Sequence, residues 1–166
     1  DEVLAFCAGQ QQAAVAVCAP RRPNQGLMEQ EAVRERLTPS PKPGRWMGFR
    51  VAEYELRQRH IATYKTPAEE QACPGWMQMG FQLYQRLEGF GYQAYPAAGE
   101  SLQWLEVYPH ACYCALLGQV PLPKNTFEGR IQRQLALVEQ KVEVPDPMDL
   151  FEEITRRRLL QGILPV

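Results

Sequence analysis

The residues best suited to chemistry in this chain follow a short apolar stretch near its start. Residues 13–18 are apolar and predict a buried β-strand, and a basic, proline-rich loop comes directly after them. In open α/β sheets, ligands bind beyond the carboxyl ends of the strands. Arg21 and Arg22 could grip a phosphate or carboxylate there, with hydrogen bonds from Asn24 and Gln25. The alternative is a proline-stiffened surface loop whose arginines are solvated.

A second cluster of charged residues has helical spacing. Arg50, Glu53 and Arg57 would share one face of a helix predicted over residues 47–60, with Glu53 four residues before Arg57. One interpretation is an anion-facing row in which Glu53 holds the arginines in place. The other is a row of surface ion pairs, which contributes little to stability.

The third candidate is a carboxylate at the point where a strand gives way to a helix. Residues 102–108 are a predicted strand, and Pro109 begins the next predicted helix. Glu106 could ligate Mg²⁺ or act as a base there, and His110 could transfer a proton. A structural ion pair between Glu106 and an arginine of the second cluster is the alternative.

Cysteine usage bears on both redox state and catalysis. The chain has five cysteines at irregular spacing, which argues against a disulfide framework and for reduced thiols in the cytoplasm. Cys112 and Cys114, beside His110, fit buried structural thiols better than metal ligands, because Cys112 would point away from the other two on a helix. Cys18 ends the first strand. As a nucleophile it would need His60 or His110 as its base, and an inert thiol is the commoner case.

Length and composition limit the classes of protein to consider. A chain of 166 residues, 45% of them hydrophobic, predicts one domain with its own core. A net charge of -1 provides no global basic field, so nucleic acid would need a local patch. The arginines at 156–158 are either a solvated helix face or such a contact. No membrane span, secretory signal, P-loop or dinucleotide-binding fingerprint is visible.

The order of predicted strands and helices indicates the α/β class. The first strand, at residues 13–18, has the pattern of a strand buried on both faces, and two more are expected at residues 92–96 and 102–108. Beyond a helix at the start of the chain, helices are expected over residues 28–37, 47–60, 74–89, 109–117, 126–138 and 147–160. The helix at 74–89 is apolar around much of its circumference, so we expect it to be buried on more than one side.

Three stretches of the chain together resemble a known family. They are the strand at residues 15–20, the helix at residues 50–57 and the strand end Glu-Val-Tyr-Pro-His at residues 106–110. In this order they are similar to the domain of unknown function 429 family, described as predicted nucleases with an RNase H-like fold. The resemblance covers most of the chain. It implies a partial RNase H-like domain, in which clustered carboxylates hold two Mg²⁺ ions that hydrolyse a phosphodiester.

The resemblance also implies which parts of the family pattern are altered here. It places the first three strands of the sheet before residue 1 and a closing acidic helix after residue 166. Cys18 stands where the family commonly has Asp, and His110 stands where Glu is usual. A thiol is poorly matched to Mg²⁺. Glu106 is left as the metal ligand, with Glu53 as a secondary candidate. An exposed sheet edge would favour a homo-oligomer or pairing with another chain.

Three hypotheses on function follow. The first is a nuclease-like domain that binds a phosphate-bearing, nucleic-acid substrate at the strand ends, with the arginines of the two clusters on the anion and Glu106 on Mg²⁺. The second is a non-catalytic interaction module on a degenerate RNase H-like scaffold. The third is an enzyme that acts on a small phosphate or carboxylate ligand. The common expectation is that Cys18 and Glu106 lie side by side at the ends of neighbouring strands.

Overall fold

The sheet of this protein has three parallel strands in the order β1–β3–β2. They are β1 (Ala13–Val17), β2 (Gln93–Ala94) and β3 (Leu102–Glu106). The computed structural model describes residues 2–149 and 160–162. The chain divides into two compact units, residues 1–109 and residues 110–166, and the sheet lies in the first. The α/β class predicted from the sequence is confirmed.

Helices precede, separate and follow the strands along the chain, as the order of predicted elements indicates. The helices of the first unit are α1 (Glu2–Ala8), α2 (Glu31–Arg34), α3 (Val51–Gln58) and α4 (Gly75–Gly89), with short 3₁₀ turns at Leu27–Glu29 and Glu70–Ala72. They are followed by α5 (Pro109–Leu117), which begins at the last residue of the first unit, and by α6 (Phe127–Glu139). The predicted bounds of α5 are confirmed, because Pro109 and Gly118 mark its two ends in the sequence.

The core of the first unit joins the sheet to α1 and α4. Tyr84 of α4 packs edge-on against Trp104 of β3, with ring centroids 4.9 Å apart. Its hydroxyl donates to the carbonyl of Ala19 at 3.1 Å, and the hydroxyl of Tyr92 donates to the carbonyl of Cys7 at 2.9 Å. These bonds satisfy buried polar groups while the rings fill the core, so α4 is held against the end of β1.

The prediction that the first strand is buried on both faces is wrong. Ala13, Val15 and Val17 pack on the core, whereas Ala14 and Ala16 are exposed. Side chains alternate across a strand, so each face of β1 can be covered independently of the other. Alanine makes the run look uniformly apolar in sequence, although an exposed methyl group costs little.

Helix α4 passes very close to the end of β1. A Cβ atom at Gly80 would lie 2.5 Å from the Cβ of Ala19, so glycine is needed for this approach. The expectation that α4 is buried on more than one side holds only in part. Its inner face is buried, but Trp76 and Met79 are 39% and 67% exposed.

Other segments form shorter elements than their patterns predict. The helix expected over residues 47–60 begins only at Val51, because residues 43–48 form turns and Arg50 is extended. Residues 28–37 provide a 3₁₀ turn and one turn of helix, and residues 92–96 provide a strand of two residues. Isolated periodic segments of this length are marginal, so their ends are decided by tertiary contacts.

The last of the predicted helices, over residues 147–160, lies mostly outside the described residues, and the arginines at 156–158 lie wholly outside them. In the part of the chain that the structure describes, no helix is both long enough and apolar enough to cross a membrane.

Candidate functional site

The ends of β1 and β3 bring the central predicted residues together. Val17, the last residue of β1, is in register with Glu106, the last residue of β3, and Cys18 follows directly. Cys18 and Glu106 line one cavity of about 450 Å³ beyond these strand ends. This is the arrangement expected from the sequence, and it arises because parallel strands end at the same edge of the sheet.

Glu106 forms a two-pronged ion pair with Arg50. The Nη1 and Nη2 atoms of Arg50 donate to the two carboxylate oxygens at 2.6 and 2.7 Å. The backbone N–H of Arg21 donates to Oε2 at 3.1 Å. Of the three roles considered for Glu106 from the sequence, the structure therefore shows the ion pair with an arginine of the second cluster. Fork-to-fork pairing fixes both planar groups in orientation as well as in position.

The surroundings of Arg50 keep its guanidinium charged. Burial is the largest influence on its pKa and acts to lower it, but hydrogen bonding and attraction from Glu106 outweigh burial, with further attraction from Glu53. The net result is a raised pKa. Burial raises the pKa of Tyr84, and the negative charge of Glu106 raises it further. The Tyr84 hydroxyl therefore stays protonated and donates its hydrogen bond.

Glu53 is a buried carboxylate that holds two segments of the cavity wall together. Its Oε2 accepts from the backbone N–H of Arg50 at 3.0 Å, where α3 begins. Its Oε1 accepts from the backbone N–H of Thr66 at 2.9 Å and from the Thr66 hydroxyl. One carboxylate thus joins the start of α3 to the segment that precedes α4. Glu53 was expected to hold Arg50 and Arg57 in place; the structure shows it bonded to the backbone N–H of Arg50, while Arg57 donates to Thr63.

Two further bonds hold the segment of residues 61–66 that forms one side of the cavity. Arg57 donates to the carbonyl of Thr63, and the hydroxyl of Tyr108 donates to the carbonyl of Ala62 at 2.8 Å. Arg57 is exposed and bonded to Thr63, which lines the cavity, so we place Arg57 at the rim of the cavity. The segment has no regular secondary structure, so these side chains replace the bonds that a helix or strand would make.

Aromatic residues that the sequence did not single out complete the cavity. Tyr64 and Trp76 line it as an edge-to-face pair, with ring centroids 5.5 Å apart, and Tyr108 lines it too. Tyr64 is 67% exposed. Trp76 was assigned to the buried circumference of its helix, and Tyr64 lies in a segment without predicted structure. The available signal was weak: two aromatic residues on either side of a proline-containing break, with no periodicity to join them.

The other arginines of the predicted site point elsewhere. The guanidinium of Arg21 pairs with Glu88 at 2.8 Å and lies over the ring of Trp104, 4.8 Å from its centroid. Arg22 is exposed. Of the four arginines predicted to gather at the strand ends, Arg50 is the one among the described cavity-lining residues. Arg21 instead contributes its backbone N–H to Glu106.

The side-chain amides of Asn24 and Gln25, in the loop after β1, bond to backbone groups. Asn24 is buried, donates to the carbonyl of Gly48 at 3.0 Å and accepts from the N–H of Gly26 at 3.1 Å. Gln25 is exposed and donates to the carbonyl of Pro23. An asparagine that bonds the backbone two residues ahead forms a local turn. These bonds give the loop its shape, as the alternative interpretation of a stiffened loop proposes.

His110 lies in the first turn of α5. Its Nε2 is 4.0 Å from the Sγ of Cys114, one turn further along the helix. Cys114 is buried and Cys112 is exposed, so the two thiols lie on different faces, as the helical spacing predicts. The role of His110 in proton transfer stays a prediction.

A family model described as "Protein of unknown function (DUF429)" matches residues 5–161. The chain belongs to this family. The resemblance drawn from three short stretches of sequence is thereby confirmed. No curated protein and no solved structure matches the chain.

The donor groups that the structure describes in this DUF429 chain do not fit a Mg²⁺ site. Within residues 2–149 and 160–162, no three His, Cys, Asp or Glu side chains are grouped as ligands of one metal ion. Both oxygens of Glu106 accept hydrogen bonds from Arg50, and both oxygens of Glu53 accept from backbone N–H groups. Cys18 offers a soft thiolate that Mg²⁺ disfavours. The described side chains around this cavity therefore do not supply the free carboxylates that a two-metal site requires.

Cys18 is exposed at the floor of the cavity of the DUF429 domain. A cysteine nucleophile needs a base within hydrogen-bond reach. No histidine is among the described residues that line this cavity, and its carboxylates are held by Arg50 and Thr66. The thiol thus provides a small, weakly polar surface, in line with the inert role that is commoner for a strand-end cysteine.

Proposed function

We propose that this DUF429 domain binds nucleotide units of a phosphate-bearing ligand, such as single-stranded nucleic acid, in the cavity at the strand ends. One observation carries the proposal: a fixed arginine–carboxylate pair and an exposed aromatic pair line the same cavity. A volume of about 450 Å³ lies within the range of small-ligand sites, which is about 300–1,000 Å³.

The aromatic side of the cavity supports a planar ligand. Tyr64 and Trp76 are partly exposed and face the same space, so a base can stack on one of them without unfolding the wall. Such stacking contributes about 1–3 kcal/mol per base and tolerates different bases, because every base has a π-face. Apolar atoms of Ala19, Pro20 and Val107 would contact the remaining edge of the ring.

The polar side of the cavity can orient the proposed ligand through hydrogen bonds. Arg50 uses one N–H on each of its Nη atoms for Glu106 and has further donors left, while the carboxylate has lone pairs left. A donor and an acceptor therefore stand side by side in fixed positions. This combination suits the edge of a base, and its rigidity lowers the entropy lost on binding.

The test is a titration of the full chain with fluorescently labelled single-stranded RNA and DNA, followed by anisotropy. Tyr64→Ala and Trp76→Ala should each weaken binding by about five-fold or more, from the stacking energy. Tyr95→Ala and Phe90→Ala are matched controls, since Tyr95 is 60% exposed against 67% for Tyr64, and Phe90 is 40% exposed against 39% for Trp76. Binding that the controls weaken equally, or no binding at all, would refute the proposal.

The nuclease activity that the resemblance implies is tested separately. Labelled RNA, DNA and their hybrid are incubated with the full chain and Mg²⁺ or Mn²⁺. We expect no metal-dependent cleavage, because the described carboxylates are already bonded to Arg50 and Thr66. Cleavage that Glu106→Ala abolishes would show a catalytic centre and remove the non-catalytic interpretation. Replacing the nucleic acid by small organic acids and phosphate esters in a thermal-shift panel tests the small-molecule alternative.

A further inference from the structure

The charges around the cavity bear on which end of a nucleotide enters it. Among the described residues that line it, Arg50 carries a positive charge, and the carboxylates of Glu53 and Glu106 are the negative groups. The guanidinium is matched by Glu106 in a two-pronged pair, so it offers little uncompensated positive potential. With one positive and two negative groups, the described lining is net negative, which is the wrong sign for a phosphate.

From this we infer that the cavity takes the uncharged base of a nucleotide and leaves the phosphate outside, at the rim. The inference rests on the proposed function and fixes the orientation of its ligand. A phosphate that approached the remaining donors of Arg50 would lie beside the carboxylate of Glu106, whose negative charge would repel it. A neutral base meets no such repulsion, because it can use both the donors and the acceptors that the pair leaves over.

The walls favour the same orientation. The edge-to-face rings of Tyr64 and Trp76 present flat apolar surfaces, and Cys18, Ala19 and Pro20 form a floor without charge. An aromatic ring gains from such contacts, whereas a doubly charged phosphate would lose its hydration and gain none of them. Arg57 is an exposed cation whose guanidinium donates to the carbonyl of the cavity-lining Thr63. A phosphate at the rim would meet Arg57 in solvent.

The experiment compares the four common ribonucleosides with their 5′-monophosphates and with inorganic phosphate, by calorimetry on the full chain. The structure predicts that each nucleoside binds within about threefold of its monophosphate, because the phosphate stays in solvent and gains little. Millimolar inorganic phosphate should not displace the bound nucleoside. Removing the carboxylate charge with Glu106→Gln should free Arg50, and should improve the monophosphate relative to the nucleoside by at least about threefold.

Glu88→Gln is the matched control for the charge change. Glu88 also pairs with an arginine, is 38% exposed against 32% for Glu106, and does not line the cavity. It should leave the ratio of monophosphate to nucleoside affinity unchanged. Tenfold tighter binding of the monophosphates, together with displacement by inorganic phosphate, would overturn the inference and leave the proposed function standing. Failure of every nucleoside and nucleotide to bind would remove both.

Discussion

Glu53→Gln is the substitution for which the structure makes the sharpest statement about stability. The carboxylate accepts three hydrogen bonds, one from the N–H of Arg50 and two from Thr66. Thr66 is only 2% exposed. A glutamine keeps one carbonyl oxygen and turns an NH₂ group toward a donor that it cannot accept from. At least one bond to a charged acceptor is lost, at about 1.5–3 kcal/mol, and a partly buried N–H is left without a partner. We expect a loss of about 2–4 kcal/mol.

Urea unfolding followed by tryptophan fluorescence measures this loss in the correct part of the chain. All three tryptophans, Trp46, Trp76 and Trp104, lie in the first compact unit, so their signal reports the unit that contains Glu53. The urea midpoint should fall while the slope of the transition stays the same.

Glu55→Gln is the matched control, two residues further along α3. Glu55 pairs with Arg59, whose side chain is 66% exposed, at 3.3 Å, and such a pair contributes at most about 1 kcal/mol. If Glu53→Gln costs less than about 1 kcal/mol, or no more than the control, Glu53 does not hold the wall together and the account of the cavity given above is wrong.

Three further predictions concern the first unit. The stability of the first unit should fall as the pH rises above about 9, because burial raises the pKa of groups that an unfolded chain would ionise near their ordinary values of 9.0 and 10.0. Urea unfolding at several pH values measures the loss, and the groups concerned are Cys73, Tyr54, Tyr84 and Tyr92. Gly80→Ala should destabilise the first unit by at least about 1 kcal/mol, because its new Cβ atom would clash with Ala19. Gly89→Ala, on the same helix but with open space around it, should be neutral or stabilising by up to about 1 kcal/mol. Equal urea midpoints for the two variants would refute this prediction. The edge strand β1 carries no charged residue and should give concentration-dependent dimers in analytical ultracentrifugation, which Ala14→Lys abolishes; a monomer at all concentrations would contradict it.

The strand-to-helix order was predictable because it depends on local patterns. The apolar run at β1, the alternation at β3 and the proline that opens α5 each act over a few residues, and the structure has all three. The coverage of β1 was not predictable. Whether Ala14 and Ala16 meet another layer depends on elements far away in sequence, and alanine is compatible with both outcomes.

The candidate site divides in the same way. Cys18 and Glu106 were expected at neighbouring strand ends, and parallel pairing brings them there. The choice of Arg50, rather than Arg21, as the partner of Glu106 depends on side-chain direction across 56 residues of sequence. The aromatic wall was missed because Tyr64 belongs to no periodic element. The two residues before Tyr64 are held by bonds from Arg57 of α3 and from Tyr108, which follows β3.

The amino-acid sequence by itself determined the ends of the strands to within two residues, that one carboxylate and several arginines are close to those ends, and which family the chain belongs to. Tertiary structure alone decided that Arg50 clamps Glu106, that Glu53 ties Arg50 to Thr66, and that Tyr64 and Trp76 open onto the same cavity. The physical reason is one of range. Strand and helix patterns express contacts between near neighbours, whereas the pairing of charges and rings depends on where the folded backbone brings distant side chains together.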